Sequence, residues 1–358
     1  MIKVVVVDDS AFMRKAISTM LEKDPGISVA ATGRDGEEGL ALVRQHDPDV
    51  VTLDIEMPRM DGLTCLRHIM MEMPRPVLMI SSLTTEGAEA TLKAMELGAA
   101  DFIPKQLSRV SLDIIKIESD LIAKVKAIAG RRMRAVRPTP RPAVAAPERL
   151  AERPAERLAP TARPRSSQVR DVVVIGVSTG GPPAVQKVLS SMPADFPAGI
   201  VIAQHMPAAF TGPFAKRLDG LSALSVKEAE TGDVLKPGCA FVAPGGQHVR
   251  IQQRVTHIAL EVSKEPAEAL YKPSANVLIG SAAEAVGKRA LGVILTGMGN
   301  DGMEGVRQLK GKGGRALAQS DATCVVYGMP KAIVDAKLAD EVVDIDDMAR
   351  AILENLYK

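Results

Sequence analysis

Cysteine is scarce. Cys65, Cys239 and Cys324 are the three in 358 residues, and they share no paired spacing. That argues against a disulfide framework and metal knuckles and fits a reducing compartment. No apolar stretch approaches the roughly 18 residues that a membrane helix requires. The opening run Met1-Ile2-Lys3-Val4-Val5-Val6-Val7-Asp8-Asp9 lacks the small-residue cleavage site of a secretory leader. It reads as a strand closed by acids. A cytoplasmic protein with no membrane insertion is expected. A basic surface is also missing once one segment is set aside. The net charge is +2, but residues 131–168 hold ten Arg, no Lys and three Glu, which leaves the remainder at −5. An acidic body without a basic recognition helix predicts no nucleic-acid partner.

The basic segment also holds seven Pro and eight Ala, and its large aliphatics are Val136, Val144, Leu150 and Leu158 alone. It buries too little surface to offset the entropy of ordering, which predicts a solvated tether over 129–168. The flanking stretches, 1–128 and 169–358, are each long enough for a core of their own.

In 1–128, short apolar runs at 3–7, 28–32, 50–53, 77–80 and 101–103 alternate with helical patterns near 11–22, 36–46, 62–71, 87–97 and 111–128. Five strand–helix pairs predict a flavodoxin-like α/β domain with a five-stranded parallel sheet. Function in such sheets gathers at the carboxyl ends of the strands. Asp8 and Asp9 end the first strand, Asp54 ends the third, Ser81 ends the fourth and Lys105 lies just past the fifth. Three converging carboxylates repel one another unless a cation neutralises them, and hard oxygen donors suit Mg²⁺. A hydroxyl and an ammonium opposite them suit a phosphoryl group. The constellation predicts an aspartate phosphorylation site with Asp54 as acceptor.

In 169–358 the alternation resumes, with strands at 172–177, 199–204, 239–242, 291–296 and 315–319 and helical stretches near 183–191, 207–218, 276–286, 302–310 and 329–337. Residues 249–252 and 256–260 predict a hairpin. This is a second doubly wound, Rossmann-like α/β domain. Its first strand runs into Gly176-Val177-Ser178-Thr179-Gly180, a G-x-S-x-G elbow that exposes a serine hydroxyl at the sheet edge. His205 follows the next strand, and Asp301 lies in the loop at 297–302. A serine needs a base, and the base needs an acid to fix its tautomer. His248 and His257 are rival bases, and Asp321 is the rival acid. Residues 297–302 also satisfy G-x-G-x-x-G, with Asp321 about 20 residues on, a dinucleotide fingerprint. It falls late in the domain instead of opening the first βαβ unit.

Three stretches make residues 1–125 resemble a response-regulator receiver domain: Val7-Asp8-Asp9-Ser10, Asp54-Ile55-Glu56-Met57-Pro58-Arg59-Met60-Asp61-Gly62 and Ala99-Ala100-Asp101-Phe102-Ile103-Pro104-Lys105. The resemblance implies phosphorylation of Asp54, with Mg²⁺ held by Asp9, Asp54 and the backbone carbonyl of Glu56, and by Asp8 through water. It implies Ser81 and Phe102 as a switch pair and Lys105 as a partner of the phosphoryl group. Gln106 follows Lys105 where receivers usually carry proline. Residues 171–358 resemble the catalytic domain of the CheB family of chemotaxis protein-glutamate methylesterases. The matching stretches are Ile175-Gly176-Val177-Ser178-Thr179-Gly180-Gly181-Pro182, Gln204-His205-Met206-Pro207, Ala243-Pro244-Gly245-Gly246-Gln247-His248, Leu295-Thr296-Gly297-Met298-Gly299-Asn300-Asp301-Gly302 and Tyr327-Gly328-Met329-Pro330. That resemblance implies Ser178 as nucleophile, His205 as base, Asp301 as orienting acid and the Met298 N–H as oxyanion donor, with Thr179 and Gly180 shaping the pocket. It implies as substrates the γ-glutamyl methyl esters and glutamines of methyl-accepting chemotaxis receptors, a chemotaxis histidine kinase as phosphodonor, and no cofactor for ester cleavage. Asn276 stands where the family often carries an acid and is given no role. A phosphorylation switch and a triad on one chain predict that the resting receiver packs over the Ser178 edge.

Overall fold

A computed structural model describes residues 1–105, 111–129 and 168–358. The tether expected over 129–168 lies, but for its first and last residue, outside them, as does Gln106. In the first domain β1 (Ile2–Val7), α1 (Ala11–Leu21), β2 (Ile27–Gly33), α2 (Gly36–His46), β3 (Val50–Asp54) and α3 (Gly62–Glu72) alternate. They are followed by β4 (Val77–Ser81), α4 (Thr85–Glu96), β5 (Asp101–Pro104) and α5 (Ser111–Ile128). The strands pair in parallel in the order β2-β1-β3-β4-β5. Helices cover both faces, so the central strands are unbroken apolar runs without alternation. Each of the first four helices begins at a polar cap: Ser10, Asp35, Asp61 and Thr84 accept the N–H three residues on. The strand order reverses between β1 and β3, which opens a crevice beside Asp8 and Asp54.

The second domain begins β6 (Val172–Val177), α6 (Gly181–Ser190), β7 (Gly199–Gln204), α7 (Ala208–Leu221), β8 (Ser225–Glu228), β9 (Val234–Leu235), β10 (Cys239–Val242), β11 (His248–Gln253) and β12 (Ile258–Ser263). It continues with α8 (Ala275–Ala285), β13 (Ala290–Ile294), α9 (Met303–Gly311), β14 (Arg315–Gln319), α10 (Met329–Asp335), β15 (Glu341–Val343) and α11 (Met348–Asn355). A parallel sheet runs β15-β14-β13-β6-β7-β10-β8, and β11-β12-β9 form a small antiparallel sheet beside it. The period of two along β6 divides its side chains between two cores. Val173, Ile175 and Val177 pack with α6, α7 and α11, while Val172 and Val174 pack with α8 and α9. The sequence does not announce β8, β9, β15 or α11. The edge strands are two to four residues long, and β8 and β15 include charged residues, so they lack an apolar run long enough to betray them. The strand expected to reach residue 296 leaves the ladder earlier, because the Thr296 N–H turns to the Gln319 side chain.

The domains touch. The helix α4 lies against α7, and one continuous apolar cluster runs from the core of the first domain into the second. Phe102 of β5 stacks on Phe210 of α7 with ring centroids 4.6 Å apart, and Glu96 of α4 pairs with Arg217 of α7. Among the described residues no helix is long and apolar enough to cross a membrane.

Candidate phosphorylation and hydrolase sites

At the receiver crevice, Asp8, Asp9 and Asp54 each bring a carboxylate oxygen within 4.8 Å of the others. Asp8 and Asp54 are buried and Asp9 is exposed. The Lys105 ammonium reaches in to 2.6 Å from Asp54 Oδ2 and 3.1 Å from Asp8 Oδ2. One ammonium against three carboxylates leaves the crevice negative. Burial pushes the Asp54 carboxyl up to about 6, over the lowering pull of Lys105 and with Asp8 adding repulsion. Burial also opposes the Lys105 charge, but Asp54 and Asp8 outweigh it and hold the ammonium above its usual range. The loop after β3, which carries Glu56, is closed by the Gly62 N–H on the Ile55 carbonyl. Glycine is required there, since a Cβ would fall 1.9 Å from the Asp54 carbonyl oxygen. Ser81 is buried with its hydroxyl turned to α4, accepting from Thr91 Oγ1 at 2.6 Å and lying 3.2 Å from the Gly87 carbonyl. Of the expected switch pair, the Ser81 hydroxyl is thus engaged by α4 and the Phe102 ring is stacked on Phe210.

In the second domain the sheet reverses between β6 and β13, so Ser178 and Asp301 flank the crevice and His205 follows the neighbouring β7. Gly180 caps α6 at φ 74°, and a side chain there would meet Val325 at 2.4 Å. The tight turn leaves Ser178 half-buried at the sheet edge. His205 Nε2 lies 2.8 Å from Asp301 Oδ2. His205 Nδ1 is buried and has no hydrogen-bond partner. Ser178 and His205 line the same cleft, together with Thr179 and Met298, but the hydrogen bond between serine and imidazole is not closed. Gln204, unremarked in the sequence beyond its motif, donates its side-chain amide to the carbonyls of both Ser178 and His205, at 3.0 and 3.2 Å.

The setting of Asp301 is the main feature that sequence reasoning missed. Its carboxylate sits on the N-terminus of α8, accepting from the N–H groups of Ala275 at 2.7 Å and Asn276 at 3.0 Å and from Ser274 Oγ at 2.9 Å. A helix N-terminus favours an anion. Burial raises this carboxyl, but His205 and the α8 N–H groups outweigh it and keep it below the usual range. Asn276 does have a structural part: its Oδ1 accepts from the N–H groups of Gly302 and Gly305 and ties α8 to the start of α9. The available signal was Ser274, a capping residue directly before an apolar helical run. The rivals stand elsewhere. His248 is buried behind the site, its Nδ1 accepting the Ser274 N–H at 3.2 Å. His257 is exposed in the hairpin, and Asp321 is exposed at the start of a short 3₁₀ turn. The 297–302 glycine loop packs against Ser178 and Met329, where a dinucleotide would need an open cradle.

The cleft holding Ser178 and His205 has a volume of about 580 Å³ and is walled by both domains. Phe102, Pro104, Asp120 and Lys124 come from the receiver, and Met206, Leu270, Tyr271 and Lys272 from the second domain.

Comparison with known proteins identifies the families of both domains. Residues 4–115 match the family model of the response regulator receiver domain, and residues 173–352 match that of the CheB methylesterase. The protein-glutamate methylesterase/protein-glutamine glutaminase 1 of Oleidesulfovibrio alaskensis is 72% identical, with both chains covered completely. The protein of that name numbered 2 in Nitratidesulfovibrio vulgaris is 71% identical, again over all of both chains. The crystal structure of the Thermotoga maritima CheB methylesterase catalytic domain superposes with a TM-score of 0.51 at 38% identity, covering 52% of this chain and 98% of that one. The chain belongs to the CheB methylesterase family, with a response-regulator receiver domain ahead of its catalytic domain.

Proposed function

We propose that this chain is a phosphorylation-regulated hydrolase of chemotaxis adaptation. It would remove methyl groups from γ-glutamyl methyl esters of methyl-accepting chemotaxis receptors and deamidate receptor glutamines to glutamate. The supporting observation is the His205 ring, which is bonded to Asp301 through Nε2 and leaves Nδ1 unpartnered in the cleft that Ser178 lines. Asp301 holds the proton on Nε2, so the lone pair on Nδ1 is free to accept the Ser178 proton. Rotation of the side chains toward each other would close that bond when substrate arrives. The Ser178 oxygen attacks the ester carbonyl carbon, and the developing oxyanion turns to the Met298 N–H. The imidazolium returns its proton to the leaving methoxide, which departs as methanol. Water, deprotonated by His205, cleaves the acyl-enzyme to glutamate and restores Ser178. With a glutamine substrate the proton goes to the leaving amine and ammonia departs.

Asp54 is the proposed phosphoacceptor for a chemotaxis histidine kinase. The hard, net-negative donor set of Asp8, Asp9 and Asp54 fits Mg²⁺, with the Glu56 carbonyl as a further ligand. Such an ion would neutralise charge between the acceptor and the incoming phosphoryl group. Lys105 already lies on Asp54 and would pair with the phosphoryl oxygens; Ser81 would have to leave Thr91 to join it. The resting receiver walls the Ser178 cleft, which supports steric inhibition relieved when the α4–β5 face shifts. Methanol release from methylated receptor membranes tests the reading. Ser178→Ala should abolish it, and Asp54→Ala should abolish its stimulation by phosphodonor. Undiminished release by Ser178→Ala would overturn the hydrolase assignment.

A further inference from the structure

One contact in the cleft is not explained by nucleophile, base and acid. Tyr271 lies flat on His205: the ring centroids are 4.2 Å apart and the planes differ by 9°. The phenol hydroxyl extends to the oxyanion loop, where a side chain at Gly299 would meet it at 3.5 Å. Tyr271 is half-buried and lies in the same segment as Ser274, Ala275 and Asn276, which all donate to Asp301. One stretch of chain therefore grips both the acid and the face of the base.

The physical need is specific. A single hydrogen bond from Nε2 to Asp301 fixes the distance of the imidazole but not its tilt, and Nδ1 has no partner to fix it. The tilt decides where the Nδ1 lone pair points. We propose that Tyr271 is a positioning residue for the hydrolysis proposed above, its ring setting the plane of His205 and stabilising the imidazolium that forms when the Ser178 proton moves. A tyrosine face attracts a cation more strongly than it attracts a neutral ring. The contact therefore strengthens along the reaction, as catalysis requires. The proposal rests on His205 acting as the base.

The test compares Tyr271→Phe, which keeps the aromatic face and loses the hydroxyl, with Tyr271→Leu, which fills much of the space without a π face. Full-length chains are assayed by methanol release from methylated receptor membranes and by the rate at which a fluorophosphonate probe labels Ser178. Tyr271→Leu should lose about tenfold in kcat and in labelling rate with KM little changed, from a contact of cation–π strength. Tyr271→Phe should recover most of that loss. Matching thermal midpoints for the two variants show that the segment stays folded. A Leu variant as fast as the unaltered chain, a Phe variant as slow as Leu, or a loss confined to KM overturns the stack as a positioning device. Release or labelling by the unaltered chain that does not depend on Ser178 overturns the hydrolase reading itself, and the inference with it.

Discussion

At the level of single residues, the two sites handle carboxylates in opposite ways. Asp301 is buried yet kept ionised by directed donors, a helix N-terminus and an imidazole. Asp54 is buried beside a like charge, and its carboxyl rises to about 6 from 3.8. A raised carboxyl binds its proton more tightly in the folded chain, so folded stability is present below the ordinary value and is lost as pH rises through the folded one. The window runs from about pH 4 to about pH 6, and the full cost is on the order of 3 kcal/mol. Asp54→Asn is therefore expected to raise the free energy of unfolding of the metal-free chain near neutral pH by up to that amount. The gain should shrink as pH falls toward 4. Urea unfolding across that range checks the sign, and a gain that grows on acidification contradicts it.

Among the elements, α8 is the one on which the proposed catalytic geometry depends. Its cap, Ser274, accepts from the Val277 N–H at 3.4 Å and donates to Asp301 at 2.9 Å, so helix initiation and orientation of the acid share one hydroxyl. Ser274→Ala removes both bonds. The expected loss is about 1–2 kcal/mol of catalytic-domain stability. The kcat for methanol release should fall while KM holds, because Asp301 loses one of its anchors. Calorimetry and the release assay check the two effects; a stable variant with full kcat would show that the N–H groups of Ala275 and Asn276 suffice. The alternation of apolar runs along the chain made most strands and helices legible, since each is long enough to show a period. Short edge strands such as β15 (Glu341–Val343) were not, because three residues carry no period and their place is set by β14 alongside.

In the whole molecule, the receiver's α4–β5–α5 face is occupied by the catalytic domain. The contact combines the Phe102–Phe210 stack, the Glu96–Arg217 pair and the cleft walls. Burial acts to raise the Glu96 carboxyl, but Arg217 and Lys93 outweigh it and keep it charged. Partly exposed pairs are worth roughly 0.2–1 kcal/mol, so breaking this one should shift the resting equilibrium only severalfold. Arg217→Glu, which sets two carboxylates face to face, is expected to raise basal methanol release of the unphosphorylated chain by that factor. The double exchange Glu96→Arg with Arg217→Glu should restore the low basal rate. A single reversal without effect would mean that the pair does not hold the domains closed.

The amino-acid order alone determined two parallel α/β domains and the strand ends at which Asp8, Asp54, Lys105, Ser178, His205 and Asp301 stand. These follow from local periodicity and from the rule that parallel strands gather function at their carboxyl edges. Tertiary structure alone decided that His205 turns Nε2 and not Nδ1 to Asp301, that the α8 N-terminus holds that carboxylate, that Tyr271 covers the imidazole, and that Phe102 and Asp120 are among the receiver residues in the cleft wall. Those outcomes depend on how loops 66 to 96 residues away from His205, and a domain beyond them, pack in space. Propensity acts over a few residues and carries no record of such distant meetings.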